Sequence, residues 1–192
     1  MLRNIVLSAL FLLLCAASPA RAAPVAYRLD PVHCQVLFFV DHLGFSRQLG
    51  RFTGVEGRFA FDPAGWDGAT VEAQIAVDSL WLGDAPWQRK MLSADFFNAA
   101  EHPTMRFVSE RVEATGENTA RVHGNLTLLG VSRPVVLEVV RNRVGRNTFN
   151  LKHTAGFSAR TTLKRSDFGM RRMLAAVGDE IEIVLEIEGI RE

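Results

Sequence analysis

The feature that most limits what this chain can fold into is the two-residue period of its apolar side chains. Ile181, Ile183, Leu185 and Ile187 alternate with Glu180, Glu182, Glu186 and Glu188. A segment of that kind buries one face of a strand and leaves the other to water; wound into a helix it would scatter its apolar groups around the axis. The same period recurs. Val71, Ala73, Ile75 and Val77 face Glu72, Gln74 and Asp78. Val122, Gly124, Leu126 and Leu128 face Arg121, His123, Asn125 and Thr127. Val135, Leu137 and Val139 stand opposite Glu138. Phe157, Ala159, Thr161 and Leu163 alternate with Ser158, Arg160 and Lys164. In Val32–Leu43 the uncharged set Cys34, Val36, Phe38, Val40 and His42 is assigned inward, which leaves Leu37 and Phe39 in need of cover.

Turn signals at Asp62-Pro63-Ala64-Gly65, Gly116-Glu117-Asn118, Gly130 to Pro134, Arg143 to Asn147 and Gly178-Asp179 separate the runs. They leave about eight long strands and a short first one at Tyr27–Asp30, in an antiparallel meander. A single all-β domain must dispose of its edges, and closure is the usual way. The expected fold is therefore an antiparallel eight-stranded lipocalin-like barrel, with a two-sheet sandwich as the alternative. One segment breaks the pattern. Asp84–Phe97 carries Trp87, Met91 and Leu92 at helical spacing, with Asp84 as N-cap and Pro86 in the first turn. A short helix is predicted there, covering one side or end of the barrel.

The first residues have another character. Arg3, the apolar run Ile5–Ala17 and the small residues of Ala20-Arg21-Ala22 read as a signal peptide spanning 1–22, ahead of one β-barrel domain at 23–192. No later run reaches the roughly 20 residues of a membrane helix. Removing 1–22 takes out Arg3 and Arg21 and no acid, so the formal charge passes from +1 to −1. With no basic excess, nucleic acid is not expected as a partner. Cys15 leaves with the leader, so Cys34 stands alone and no internal disulfide can form. As a lone thiol it is either a small buried hydrophobe or a reactive group.

No reaction motif is present: no H-E-x-x-H, C-x-x-C, G-x-S-x-G or P-loop. His33, His42, His102, His123 and His153 are scattered, without metal-ligand spacing, so neither a metal nor a catalytic group is assigned. The interior is rich in phenylalanine, with thirteen Phe in the chain against one Tyr. Phe38, Phe59, Phe61, Phe107 and Phe157 fall on inward faces; such a wall serves equally as a dry core or as the lining of an apolar tunnel. The small residues Cys34, Gly57, Ala73, Gly124 and Ala159 on the same faces are expected to leave room. For a tunnel, the candidate ligand-binding residues are Val36, Phe38, Val40, His42, Phe59, Ile75, Val77, Phe107, Leu126, Leu137, Phe157, Leu163 and Ile183. The basic loop Leu163–Arg172 follows a strand. It is either a salt-bridged surface loop, with Asp167 paired to Arg165 or Arg171, or a cationic rim in which Arg165, Asp167 and Arg171 meet a polar headgroup beside His42.

Asp30-Pro31-Val32-His33-Cys34-Gln35-Val36-Leu37-Phe38-Phe39-Val40-Asp41-His42 resembles the opening strand of the YceI-like family, D-x-x-H-S-x-V-x-F-x-V-x-H. Gly50-Arg51-Phe52, Leu92–Phe97, His102–Ser109, Gly124–Val135 and Arg165-Ser166-Asp167-Phe168-Gly169-Met170 resemble further motifs of the family in register. Cys34 replaces its usual Ser, and His102 a frequent Tyr. The resemblance implies a periplasmic, extended lipocalin-like barrel that binds a polyisoprenoid or related amphiphile, such as an isoprenoid quinone, in a long internal tunnel. It implies transport, storage or sequestration, with the lipid as ligand and no other cofactor; a homodimer is left open. Two readings of other classes stand beside it: an enzyme acting on an isoprenoid or quinone with His42 as general base, and a structural or stress protein with a solid core.

Overall fold

The computed structural model describes residues 23–192; the leader expected at 1–22 lies outside them. Among the described residues the strands are β1 (Val25–Leu29), β2 (Gln35–His42), β3 (Ser46–Phe52), β4 (Val55–Phe61), β5 (Thr70–Ala76), β6 (Leu80–Trp81), β7 (Thr104–Ala114), β8 (Thr119–Leu128), β9 (Val131–Arg146), β10 (His153–Lys164) and β11 (Val177–Arg191), with one α-helix, α1 (Ala85–Leu92), between β6 and β7. Every pairing is antiparallel. The ring runs β1-β4-β5-β7-β8-β9-β10-β11 and closes where β11 returns to β1. It is a closed eight-stranded barrel, not a sandwich.

The first three walls of the barrel are each broken in two. β1 and β2 pair with successive parts of β11, Leu29 opposite Gly189 and Gln35 opposite Glu186. Five residues on one side thus face two on the other, and three surplus residues are pushed out as a turn. Val32, His33 and Cys34 therefore precede the strand instead of opening it. Asp30 causes the break: its Oδ1 accepts from Val32 N at 2.9 Å, and Pro31 cannot donate to a ladder. β3 and β4 likewise form one wall broken at residues 53 and 54, and β5 and β6 one wall broken by a 3₁₀ turn at Val77–Ser79.

The direction of each strand sorts the loops to two ends. At the end holding both described termini, Tyr27, Phe59, Phe61, Trp66 and Phe157 form one aromatic cluster with ring centroids 5.0 to 6.5 Å apart. Arg141 ties the loops over it: its guanidinium donates to Pro63 O at 2.7 Å, Glu117 O at 3.2 Å and Asn118 Oδ1, while lying over the Trp66 ring. This end is the floor. The other end carries the β2–β3 hairpin tip, α1 and the loop after β10.

α1 is capped as its sequence demands, with Trp87 N donating to Asp84 Oδ1 at 2.7 Å and Pro86 in the first turn. It stops at Ser93, short of the expected Phe97; Phe96 and Phe97 follow in turns and are buried. Trp87, Met91 and Leu92 pack on the core, so the helix covers a barrel end. Leu37 and Phe39 find other cover: they are half-buried on the outer face, and the Arg47 guanidinium lies 5.1 Å from the centre of the Phe39 ring.

Candidate ligand cavity

The barrel is not filled by its own side chains. An internal cavity of about 260 Å³ runs from the aromatic floor to the helix end. A single water needs only some 10–15 Å³ of such space. Among the residues that line it, Thr70, Thr161 and Arg165 are the only ones with hydroxyl or charged side chains; the rest are aliphatic, aromatic or Met. Water entering this space would find few of the two to four polar partners that hold buried water. The cavity suits apolar chain instead.

Parity along the strands accounts for most of the wall. Val36, Phe38 and Val40 from β2, Phe59 from β4 and Ile75 from β5 line the cavity; so do Phe107 from β7, Leu126 from β8, Leu137 from β9, Phe157 and Leu163 from β10, and Ile183 from β11. Two candidates lie elsewhere. Val77 is 1% exposed but has turned out of the strand; its N–H donates to Pro103 O at 2.9 Å, and its side chain packs in the core outside the lining. His42 is inward by parity, yet it stands at the last position of β2, exposed at the rim. Met91, Phe96, Phe97 and Met170 complete the wall at the helix end. They come from non-strand segments, where a two-residue period gives no signal; the helical spacing of Met91 was the one available clue.

Of the small residues expected to leave room, Ala73 and Ala159 line the cavity and Cys34 and Gly57 do not, whereas Gly124, like Gly50 and Gly189, seats an aromatic ring. A Cβ on Gly50 would lie 2.2 Å from Phe38 Cζ, one on Gly189 2.2 Å from Phe59 Cε1, and one on Gly124 2.6 Å from Phe107 Cζ. Each glycine carries an aromatic ring flat against the wall. Phe38 and Gly50 are direct register partners and Phe107 and Gly124 diagonal neighbours, while Phe59 of β4 reaches across β1 to Gly189 of β11. The absent side chains house the rings, and the rings thereby stay out of the lumen.

The basic loop is built around one cation. Arg165 is 4% exposed, and its guanidinium donates to four main-chain carbonyls: Gly178 O at 2.9 Å, Met170 O at 2.9 Å, Arg172 O at 2.9 Å and Val177 O at 2.8 Å. Burial lowers its pKa, and the nearby Asp179 offsets only part of that shift. Asp179, not Asp167, anchors the turn, accepting from Ser166 N at 2.9 Å and from Ser166 Oγ at 2.7 Å. Those bonds outweigh burial and hold its carboxyl below the ordinary aspartate value. Asp167 is exposed; its main-chain oxygen accepts from Arg133 Nε at 3.1 Å. Arg171 is exposed at the same rim as His42, beside the exposed Leu43, Phe45, Met173 and Leu174. Leu43 N donates to Ala176 O at 3.0 Å, so the hairpin tip and this loop are joined.

Among the described residues, the lining brings together no carboxylate, imidazole or thiol. Cys34 is 1% exposed, and its Sγ donates to Glu188 O at 3.2 Å; burial pushes the thiol pKa up, which makes it a poor nucleophile. Among the described residues no helix is long and apolar enough to cross a membrane.

Comparison with known proteins agrees with this architecture. The YceI-like domain matches residues 27–189. A UPF0312 protein of Ectopseudomonas mendocina is 36% identical over 173 residues, 90% of this chain and 90% of the relative. The crystal structure of Burkholderia cenocepacia BcnA superposes with a TM-score of 0.75 at 26% identity, covering 83% of this chain and 98% of that one. A polyisoprenoid binding domain from Saccharophagus degradans shares the fold, with a TM-score of 0.66 at 17% identity over 88% of this chain and 99% of that one. By its domain match and its relatives, the chain belongs to the YceI-like family.

Proposed function

We propose that this protein is a periplasmic binding or carrier protein that holds a polyisoprenoid or isoprenoid-quinone-like amphiphile, its chain in the barrel and its polar head at the helix end. The observation that carries this reading is the cavity itself: a continuous apolar channel, sealed at the floor by aromatic rings and bounded at the other end by a rim with Arg171 and His42. Each buried methylene contributes about 0.8 kcal/mol, so each five-carbon unit brings on the order of 4 kcal/mol before ordering costs. The family and the polyisoprenoid-binding neighbour support the same ligand class.

The test is native mass spectrometry of protein taken gently from the bacterial envelope, followed by organic extraction. A stoichiometric adduct that extracts as an unmodified prenyl lipid is the expected result. An apo mass that does not shift on adding polyprenols or quinones would refute the carrier reading and favour a structural protein. A ligand returned chemically altered would favour an enzyme.

A further inference from the structure

We propose that Asp30, His33 and Glu188 form a divalent-cation site on the outside of the barrel, where β1 hands over to β2 along β11, and that it takes a first-row transition ion such as Zn²⁺. The three-residue surplus at this joint builds it. The extruded turn is fixed by its own backbone: His33 N and Cys34 N donate to Asp30 O at 3.3 and 3.1 Å, and Val32 N to Asp30 Oδ1. Both sides of the turn are pinned to one residue of the neighbouring strand, with Asp30 N and Cys34 Sγ each donating to Glu188 O. Asp30 Oδ2 is thereby left facing His33 Nδ1 at 2.9 Å. The ligand atoms of Asp30, His33 and Glu188 all lie within 4.8 Å of one another.

Charge supplies an independent argument. Three other acids of β11 have partners: Asp179 accepts from Ser166, Glu182 pairs with Arg47, and Glu186 accepts from Ser158 Oγ at 2.6 Å. Glu188 faces Gly156 across the ladder, where no side chain stands to meet it. Among the described residues neither Asp30 nor Glu188 has a lysine or arginine in an ion pair. Two carboxylates thus converge on one imidazole with no permanent cation between them.

The donor set selects the ion. One nitrogen and two oxygens suit zinc and its neighbours, with solvent in the remaining positions. Calcium asks for six to eight oxygens, and soft copper(I) for sulfur, which Cys34 does not offer from its buried position. Zinc–ligand bonds of about 2.0–2.1 Å set ligands about 3.3 Å apart in a tetrahedron. The Asp30–His33 contact need open by only a few tenths of an ångström, and Glu188 closes by a change of rotamer. The ion takes the place of the proton shared by Asp30 and His33. Its effect is mechanical: β1 meets β11 through only three register pairs, Tyr27–Arg191, Arg28–Ile190 and Leu29–Gly189, and the ion staples that closing seam.

The experiment is calorimetric titration of untagged, chelator-treated protein with zinc chloride, alongside melting curves with and without the ion. One zinc per chain is expected, with a rise in Tm that grows with zinc concentration. Glu188→Gln and His33→Gln should each weaken binding at least about tenfold, and Glu188→Gln should lose the Tm rise while keeping the wild-type circular dichroism. Cys34→Ser should bind as the wild type does. Absence of saturable binding at millimolar zinc, binding that survives both the Glu188 and His33 changes, or binding lost with Cys34→Ser would each overturn the assignment. None of these outcomes depends on the lipid cavity, whose loading is read separately.

Discussion

Replacing Arg165 with Lys separates two roles that charge alone does not. Either the residue holds the helix end of the barrel together, or it offers a cation to a ligand's head. The guanidinium makes four bonds of 2.8–2.9 Å to carbonyls that converge from residues 170, 172, 177 and 178. A hydrogen bond to a charged group contributes roughly 1.5–3 kcal/mol net. A lysine ammonium keeps the charge but donates from one point, and reaches about two of the four carbonyls. Loss of the other two bonds, softened by water at the rim, gives an expected cost of ~3 kcal/mol. At ~2–4 °C per kcal/mol for a domain of this size, Tm should fall by about 6–12 °C. Urea unfolding followed by near-ultraviolet circular dichroism measures the change, with bound lipid assayed on the same samples. A stability loss under ~0.5 kcal/mol together with reduced lipid binding would refute the clamp and return Arg165 to the headgroup.

Gly50→Ala drives a methyl group into Phe38 and Leu82, with Cζ of the ring 2.2 Å away; it should cost ~1–3 kcal/mol and lower lipid content by swinging the ring into the lumen, read by melting and extraction. Ile183→Trp places a large ring in the open channel, so it should empty the protein of lipid while changing the stability of the lipid-free form by less than ~1 kcal/mol; a solid interior would lose ~1–3. Asp179→Asn removes an acceptor whose folded-state pKa is lowered by Ser166. Its stabilisation is present above the unfolded aspartate value near ~3.9 and is lost as pH falls through the lower folded value. The wild type should therefore melt above the variant at neutral pH, and the two curves should converge as the pH drops below that window.

Where the sequence was legible, one physical rule made it so. A half-buried strand must alternate, and Ile181–Glu188 or Phe157–Lys164 can hardly do anything else; eleven of the cavity-lining residues follow from parity. Parity fails where a strand stops without losing burial. Val77 continues the count from Val71 and is buried, yet the backbone has already turned into a 3₁₀ segment, with Ser79 Oγ donating to Ala76 O at 2.6 Å. The break before β2 had a local signal in Asp30-Pro31, which the alternation read over Val32–Leu43 overrode. Arg165 could not be placed at all from its neighbours. An arginine in a basic loop ordinarily points to water, and only the return of residues 170–178 supplies four carbonyls in one place. Convergence of that kind belongs to the path of the chain.

The glycine–phenylalanine pairs explain how so aromatic an interior remains hollow. A Phe ring standing upright from the wall of an eight-stranded barrel would meet its opposite number near the axis and fill the space, since such a barrel is only just wide enough for its own side chains. Laid over a glycine of a nearby strand, the ring gives up depth for breadth. Phe38 over Gly50 and Phe107 over Gly124 do this on two parts of the wall, and Phe59, within the floor cluster, reaches across β1 to Gly189. At the floor, where no cavity is wanted beyond the cluster, Phe61, Trp66 and Phe157 pack on one another instead. Tyrosine would serve poorly at the open positions, because its hydroxyl would need a partner that the lumen does not supply. Eight of the thirteen Phe line the cavity, and there the ring meets one requirement, to border an apolar ligand and hold no water against it. Glycine placement lets Phe38 and Phe107 border the channel without filling it.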